Sequence, residues 1–212
     1  LYAPSHFAAS REEAINVITR YPFAMLVTPS EDNALPLITQ VPLIFDQQSE
    51  NRRLIGHLAR SNPQARALSK EGEVLALFAG PNAYISPSWY ESKSDGKGVV
   101  PTWNYVSVEL TGQTFPLKES TEKLRCVNEL SKIFEEDQPK PWKLSDEPED
   151  YIQKMLNGIV AFSIEITKIE AKYKLSQNRS ALDQARVIAG LQSSKQSNAT
   201  SLAQMMIEQG LG

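Results

Sequence analysis

"YVSVELTGQTF", residues 105–115, alternates apolar and polar side chains. That is the period of a strand with one buried and one wetter face. The surrounding sequence repeats the theme. "FAMLVT" (23–28), "ALPLITQVPLIF" (34–45), "RLIGHLA" (53–59) and "EVLALFAG" (73–80) are apolar runs of strand length, and "PSEDN" after the first is turn-like. "IVAFSIEITKIEAKYKL" (159–175) returns to strand character. Pro36 and Pro42 lack the N–H that a central ladder needs, so their run suits an edge or irregular strand. Short strands separated by polar turns point to a barrel or sandwich.

Helices flank this β-rich stretch. In "SREEAINVITRY" (10–21), Ser10 and Glu13 have capping-box spacing, and Pro22 ends the segment. Residues 120–135 carry Leu124, Val127, Leu130 and Ile133 along one stripe, expected to be core. "DQPKPWKLSDEPED" (137–150) reads as a charged connection anchored by Trp142, after which Pro148 opens a short helix that Gly158 closes. Residues 181–212 read as a C-terminal extension of two short helices separated by "SSKQSNAT", leaving residues 1–180 as the main domain. The class is α+β, mainly β.

Composition narrows the function. The chain's 212 residues suffice for one domain with an appendage. A net charge of −3 provides no overall positive field to attract nucleic acid or an anionic membrane. Cys126 is the single cysteine, which excludes an intrachain disulfide, and His6 and His57 are the only histidines, too few for a multi-histidine metal site. With no signal-peptide pattern and no apolar run near the roughly 20 residues of a membrane span, the expected location is the cytoplasm.

Three stretches concentrate binding chemistry. "ISPSWYESKSDGKGVVPTWNY" (85–105) sets Trp89, Tyr90, Trp103 and Tyr105 around a polar loop. These rings either seal a core or form a platform for a flat ligand. Thr39, Gln40 and Asn104, polar groups at positions that read as buried, favour a ligand that satisfies them. In "GHLARSNPQARAL" (56–68) a strand ends near His57, and Ser61-Asn62-Pro63 reads as a helix start. The free N–H groups of such a terminus suit a phosphate, with Arg60 and Arg66 adding charge; a plain surface cap is the alternative. "KLSQNRS" (174–180) gathers Lys174, Ser176, Gln177, Asn178 and Arg179, as a solvated turn or as a latch for an anionic ligand. Nucleophile-elbow, phosphate-loop and dinucleotide glycine motifs are absent. Glu135, Glu136 and Asp137 read as a solvated acidic run, and Cys126 as core rather than nucleophile.

"YAPSHF", "GHLARSNPQ", "GPNAYISPSWY", "VPTWNY" and "AYKLSQNR" occur in this order between residue 2 and about residue 180. Together they resemble the signature blocks of the PaiB-type family, FMN-binding negative transcriptional regulators. The resemblance implies a split β-barrel like that of pyridoxamine-phosphate oxidases and flavin reductases, and a homodimer holding FMN at its interface. It places Thr39, Gln40, Val41 and Pro42 beside the isoalloxazine, and His57, Arg60, Ser61 and Asn62 near the phosphate. Trp103 and Asn104 would come from the second aromatic block, across the interface, with the intervening loop as a lid. Lys174, Gln177 and Arg179 complete the candidate FMN-binding set. Asn62 and Pro63 stand where the wider superfamily carries basic residues.

The function implied is a flavin-dependent oxidoreductase or redox sensor with an indirect regulatory role. Direct DNA binding as a repressor is the alternative, disfavoured by the acidic charge and by the lack of a helix-turn-helix or basic stripe. Haem binding or degradation, resting on His6, His57 or a tyrosinate, ranks last.

Overall fold

The computed structural model describes residues 1–30, 35–49, 53–91 and 98–212. In chain order its elements are β1 (Ala8–Ala9), α1 (Arg11–Arg20), β2 (Phe23–Thr28), β3 (Leu37–Pro42), β4 (Ile44–Phe45), β5 (Arg53–Ala59), α2 (Ala65–Leu68) and β6 (Gly72–Ile85). Then follow β7 (Thr102–Leu117), α3 (Ser120–Glu135), α4 (Glu149–Asn157), β8 (Ile159–Lys174), α5 (Ala181–Gln192) and α6 (Ala199–Glu208). The sheet order is β3-β2-β6-β7-β8-β5-β4, with β1 on β8. β2 pairs antiparallel with β3 and β6, and β5 with β4 and β8. This is the expected α+β, mainly β class, a split β-barrel with flanking helices.

Contacts group the chain into two compact units. The first holds Leu1–Val17, Ala79–Val108 and Glu170–Gly212, and the second holds Ile18–Phe78 and Glu109–Ile169. The C-terminal helices therefore cluster with the amino-terminal segment in the first unit.

In the second unit Leu26, Leu54, Ile55, Phe78, Leu110, Phe162 and Ile164 are fully buried. α3 joins this core through Cys126 and Leu130, one turn apart, which cluster with Ile44, Ile55, Leu117 and Ala161. The expected stripe is only partly right. Leu124 and Val127 are half-buried and Ile133 is exposed, because the buried face centres on Cys126 and Leu130. Asp46, buried, receives Arg53 and Arg125, the latter also paired with Glu129. Burial pushes the Asp46 carboxyl up, but the hydrogen bonds from Arg125, Arg53 and the Gln48 amide outweigh it and hold the group below its usual range.

In the first unit Ile85, Val108, Leu175, Val187, Leu191 and Leu202 are fully buried. Gly190 lets α5 approach Trp89, since a Cβ there would lie 2.5 Å from the indole. At the amino terminus Ser10 and Glu13 form the expected capping box, each side chain accepting the other's backbone N–H.

Local differences from the sequence reading have identifiable causes. The single run 34–45 divides into β3 and β4 after Pro42, and the Leu43 N–H turns to the Pro22 carbonyl at 2.9 Å. β6 runs past Gly80 and Pro81 to Ile85. β2 pairs only with Leu75–Leu77 of β6, so Pro81 lies beyond that ladder and breaks none of its bonds. The helix expected to start at Ser61 begins at Ala65, with no side-chain cap. Asn62 instead makes an Asx turn, its Oδ1 accepting the Gln64 N–H at 2.9 Å.

Candidate functional site

The candidate residues fall in both units. In the second, β3 is an edge strand, hydrogen-bonded to β2 alone in the sheet order. Alternate residues of an antiparallel edge direct their backbone N–H and C=O groups away from the partner, so β3 has an open polar edge. Strand alternation buries Val41 and exposes Gln40, and the reading of Gln40 as buried is corrected. Thr39 and Pro42 are half-buried. Ladder register sets Gln40 beside Met25 and Ile38 beside Val27. Phe23, Met25 and Ile38 are 60%, 37% and 56% exposed, so an apolar surface adjoins the polar edge.

The 61–64 turn is sewn onto this hairpin. Asn62 Nδ2 donates to Thr39 Oγ1 at 3.1 Å, and Gln64 Nε2 donates to the Leu26 and Leu37 carbonyls at 3.1 and 3.3 Å. Gln64 is buried, and its Oε1 accepts no bond. The backbone N–H groups of Asn62, Gln64 and Ala65 are bonded within the turn, so the expected fan of free helix-terminal donors is not formed there. A helix confined to Ala65–Leu68 also lacks the dipole that the phosphate reading required. Ser61 is exposed.

Arg60 and His57 are employed differently from their sequence reading. Arg60 donates Nε to the Asn157 carbonyl at 2.8 Å and a terminal nitrogen to the Ile159 carbonyl at 3.0 Å, tying the end of α4 to the start of β8. His57 borders a cavity of about 250 Å³ with Val127, Trp142, Tyr151, Ile152 and Met155. Its Nδ1 is buried without a partner, and burial holds its pKa below the usual value. A neutral imidazole in apolar surroundings offers a phosphate no charge. Trp142, also on this cavity, donates its backbone N–H to Glu135 at 2.9 Å. Burial pushes the Cys126 thiol up to about 12, which removes it as a nucleophile.

The first unit brings Trp103, Asn104, Lys174, Gln177 and Arg179 into one neighbourhood of β7, β8 and the turn after β8. Trp103 is 49% exposed; its Nε1 donates to Asn82 at 3.1 Å, and its ring meets Tyr84 edge-on. Asn104, 1% exposed, donates Nδ2 to Ser176 Oγ at 2.9 Å. That bond ties β7 to the turn after β8. Gln177 spends both ends of its amide locally, accepting from the Leu175 N–H and donating to the Tyr173 carbonyl. It braces a turn in which Ser176 takes a left-handed φ of 67°. Lys174 Nζ donates to Thr102 Oγ1 and to the Trp103 carbonyl, and Arg179 lies 4.7 Å over the Tyr90 ring. The loop read as a lid falls largely on residues 92–97, outside the described residues.

Sequence reading missed Gln64 and Lys172. Lys172 lies two residues before Lys174 and therefore on the same strand face, a signal that period-2 geometry supplies. Among the described residues no group of three or more His, Cys, Asp or Glu side chains could hold a metal ion, and no helix is long and apolar enough to cross a membrane.

FMN offers a fit test for these residues. A flat ring with one donor–acceptor edge and two apolar faces matches an open strand edge beside exposed Met25 and Ile38. The edge of β3 therefore fits the ring; exposed Arg60 keeps its positive charge although two of its nitrogens are bonded to carbonyls, whereas neutral His57 offers a phosphate none.

Comparison with known proteins bears on family and fold. Residues 1–168 match the model of a family described as "Putative FMN-binding domain". The chain is 36% identical over 213 residues to the Bacillus subtilis (strain 168) protein named "Protease synthase and sporulation protein PAI 2", covering 97% of this chain and 96% of that one. Among solved structures, a conserved hypothetical protein from Mycobacterium tuberculosis matches with a TM-score of 0.60 at 12% identity, over 85% of this chain and 94% of that one. The FAD and heme binding protein from Mycobacterium smegmatis matches with a TM-score of 0.59 at 14% identity, over 83% and 77%. These two likenesses show the fold.

Proposed function

The chain belongs to this family of FMN-binding domains, and on that premise we propose that it is a flavin-dependent redox protein, an oxidoreductase or sensor, whose isoalloxazine lies along β3. The observation that carries the reading is the open edge of β3 beside the exposed side chains of Met25 and Ile38. Along Thr39, Gln40, Val41 and Pro42 the backbone groups of alternate residues would meet the polar rim of the ring, and the exposed Gln40 amide adds a donor and an acceptor. Ser61 and Asn62 are the candidates for the phosphate. Bound FMN supplies the electron chemistry. The chain's own part is to orient the ring, shield one face with Met25 and Ile38, and tune it through hydrogen bonds.

A homodimer goes with this reading. Phe23, Met25 and Ile38 form an apolar surface that a second copy of the chain would cover. The regulatory role is indirect, through redox state or metabolism, in keeping with a net charge of −3. The test is the visible spectrum of the freshly purified protein, followed by chromatography of the released chromophore. Flavin bands and released FMN are expected; a colourless protein that takes up no FMN contradicts the reading.

A further inference from the structure

Three cations gather in the first unit at the end of β8 and the turn that follows it, and the contacts of each are with neutral groups. Lys172 is 8% exposed and donates to the Tyr2 carbonyl at 2.9 Å, with its ammonium 5.3 Å from the Tyr105 ring and 5.5 Å from that of Tyr2. Lys174 spends donors on Thr102 Oγ1 and the Trp103 carbonyl, and an ammonium has three. Arg179 has its guanidinium carbon 4.7 Å over the Tyr90 ring, and a guanidinium carries five N–H donors.

Lysine is almost never buried this far without a counter-charge. Among the described residues no carboxylate pairs with any of the three cations. Nearby acids serve other cations: Glu91 bonds Arg186, and Glu170 bonds the amino terminus. Burial, then the charges of Lys172 and Arg179, holds Lys174 below its usual pKa. Three like charges thus lie among aromatic rings with no carboxylate paired to them among the described residues.

We propose that Lys172, Lys174 and Arg179 bind the oxyanion, carboxylate or phosphate, of a small planar molecule, whose body rests against the exposed ring of Trp103. The proposal stands independently of the flavin reading, although the phosphate of FMN is one source of such a group. A small acid, acting as substrate or effector, is the other.

Calorimetric titration with inorganic phosphate and with benzoate, on wild type, Lys174→Met and Arg179→Gln, tests this. Wild type should bind at least one of the two anions, and each variant should weaken that binding by about tenfold or more. Lys174→Arg, which keeps the charge, should retain most of it. Parallel FMN and riboflavin titrations identify the source. A loss for FMN alone assigns the site to its phosphate; anion binding lost with FMN affinity unchanged assigns it to a separate acid. The proposal is overturned if wild type binds neither anion and the variants keep full FMN affinity. Equal losses for FMN and riboflavin, with anion binding unchanged, mark a structural role and overturn it too. If wild type binds no flavin, the proposed function fails, and the phosphate and benzoate titrations still decide this site.

Discussion

Asn62 donates its side-chain amide to the Thr39 hydroxyl at 3.1 Å, linking the turn after β5 to the edge strand 23 residues earlier in the chain. The same Asn62 side chain accepts the Gln64 N–H at 2.9 Å. One residue thereby fixes both the shape of the turn and its position against β3. The two stretches proposed to meet the ring and the phosphate are held in one geometry by this bond.

Asn62→Ala removes both hydrogen bonds. Net losses of roughly 0.5–1.5 kcal/mol per bond predict destabilisation of about 1–3 kcal/mol, read as a lower urea midpoint with an unchanged slope. Ser61→Ala, at an exposed position, should change stability by less than about 0.5 kcal/mol. If Ser61 meets the FMN phosphate, its removal weakens FMN by about tenfold or more and leaves riboflavin unaffected. Equal affinities of wild type and Ser61→Ala for FMN would move the phosphate elsewhere.

His57 makes stability depend on pH in a predictable direction. Burial holds its folded pKa below the 6.5 of the unfolded group. The unfolded chain therefore takes up a proton first as pH falls, and stability drops through and below pH 6.5 until the folded protein is protonated too. Above that value the contribution is complete. Urea melts at about pH 7.5 and about pH 5.5 should show the decline in wild type and a smaller one in His57→Leu. Identical declines would remove His57 as the cause.

The apolar surface on β2 and β3 predicts self-association. Ile38→Glu places a charge on a 56%-exposed position that a second copy would bury. Light scattering should give a dimer mass for wild type and a monomer for the variant. A wild-type monomer at all concentrations would remove the homodimer from the account.

Direct, sequence-specific DNA binding is not expected, because phosphate neutralisation dominates such affinity and the chain carries a net charge of −3. Electrophoretic mobility of a promoter fragment should be unchanged by pure protein at physiological salt. Tight, salt-sensitive retention would restore the repressor alternative.

What the sequence disclosed was mainly local. Ser10 and Glu13 lie three residues apart and announce a capping box that the structure contains. The span 120–135 and the helix bounded by Pro148 and Gly158 follow from periodicity and punctuation within one segment. Pro36 and Pro42 marked the run that forms the edge strand, because a missing N–H is a local property with a sheet-level consequence. Long-range pairings were not readable. Arg60 ties α4 to β8 through carbonyls 97 and 99 residues away, a structural task that no local pattern announces. Asn104 is bonded to Ser176, 72 residues on, a pairing that neither segment announces. Gln40 looked buried because its neighbours are apolar, while strand alternation turns it outward.

The central claim is that FMN binds with its ring along β3, and titration of wild type and Gln40→Ala with FMN and riboflavin tests it most directly. Following flavin fluorescence, wild type should saturate at about one FMN per chain, as a single site on each copy of β3 requires. Gln40→Ala removes one exposed side-chain partner of the ring, so both flavins should weaken alike, by roughly twofold to tenfold. Absence of saturable FMN binding by wild type, or unchanged affinity of Gln40→Ala for both flavins, would contradict the account.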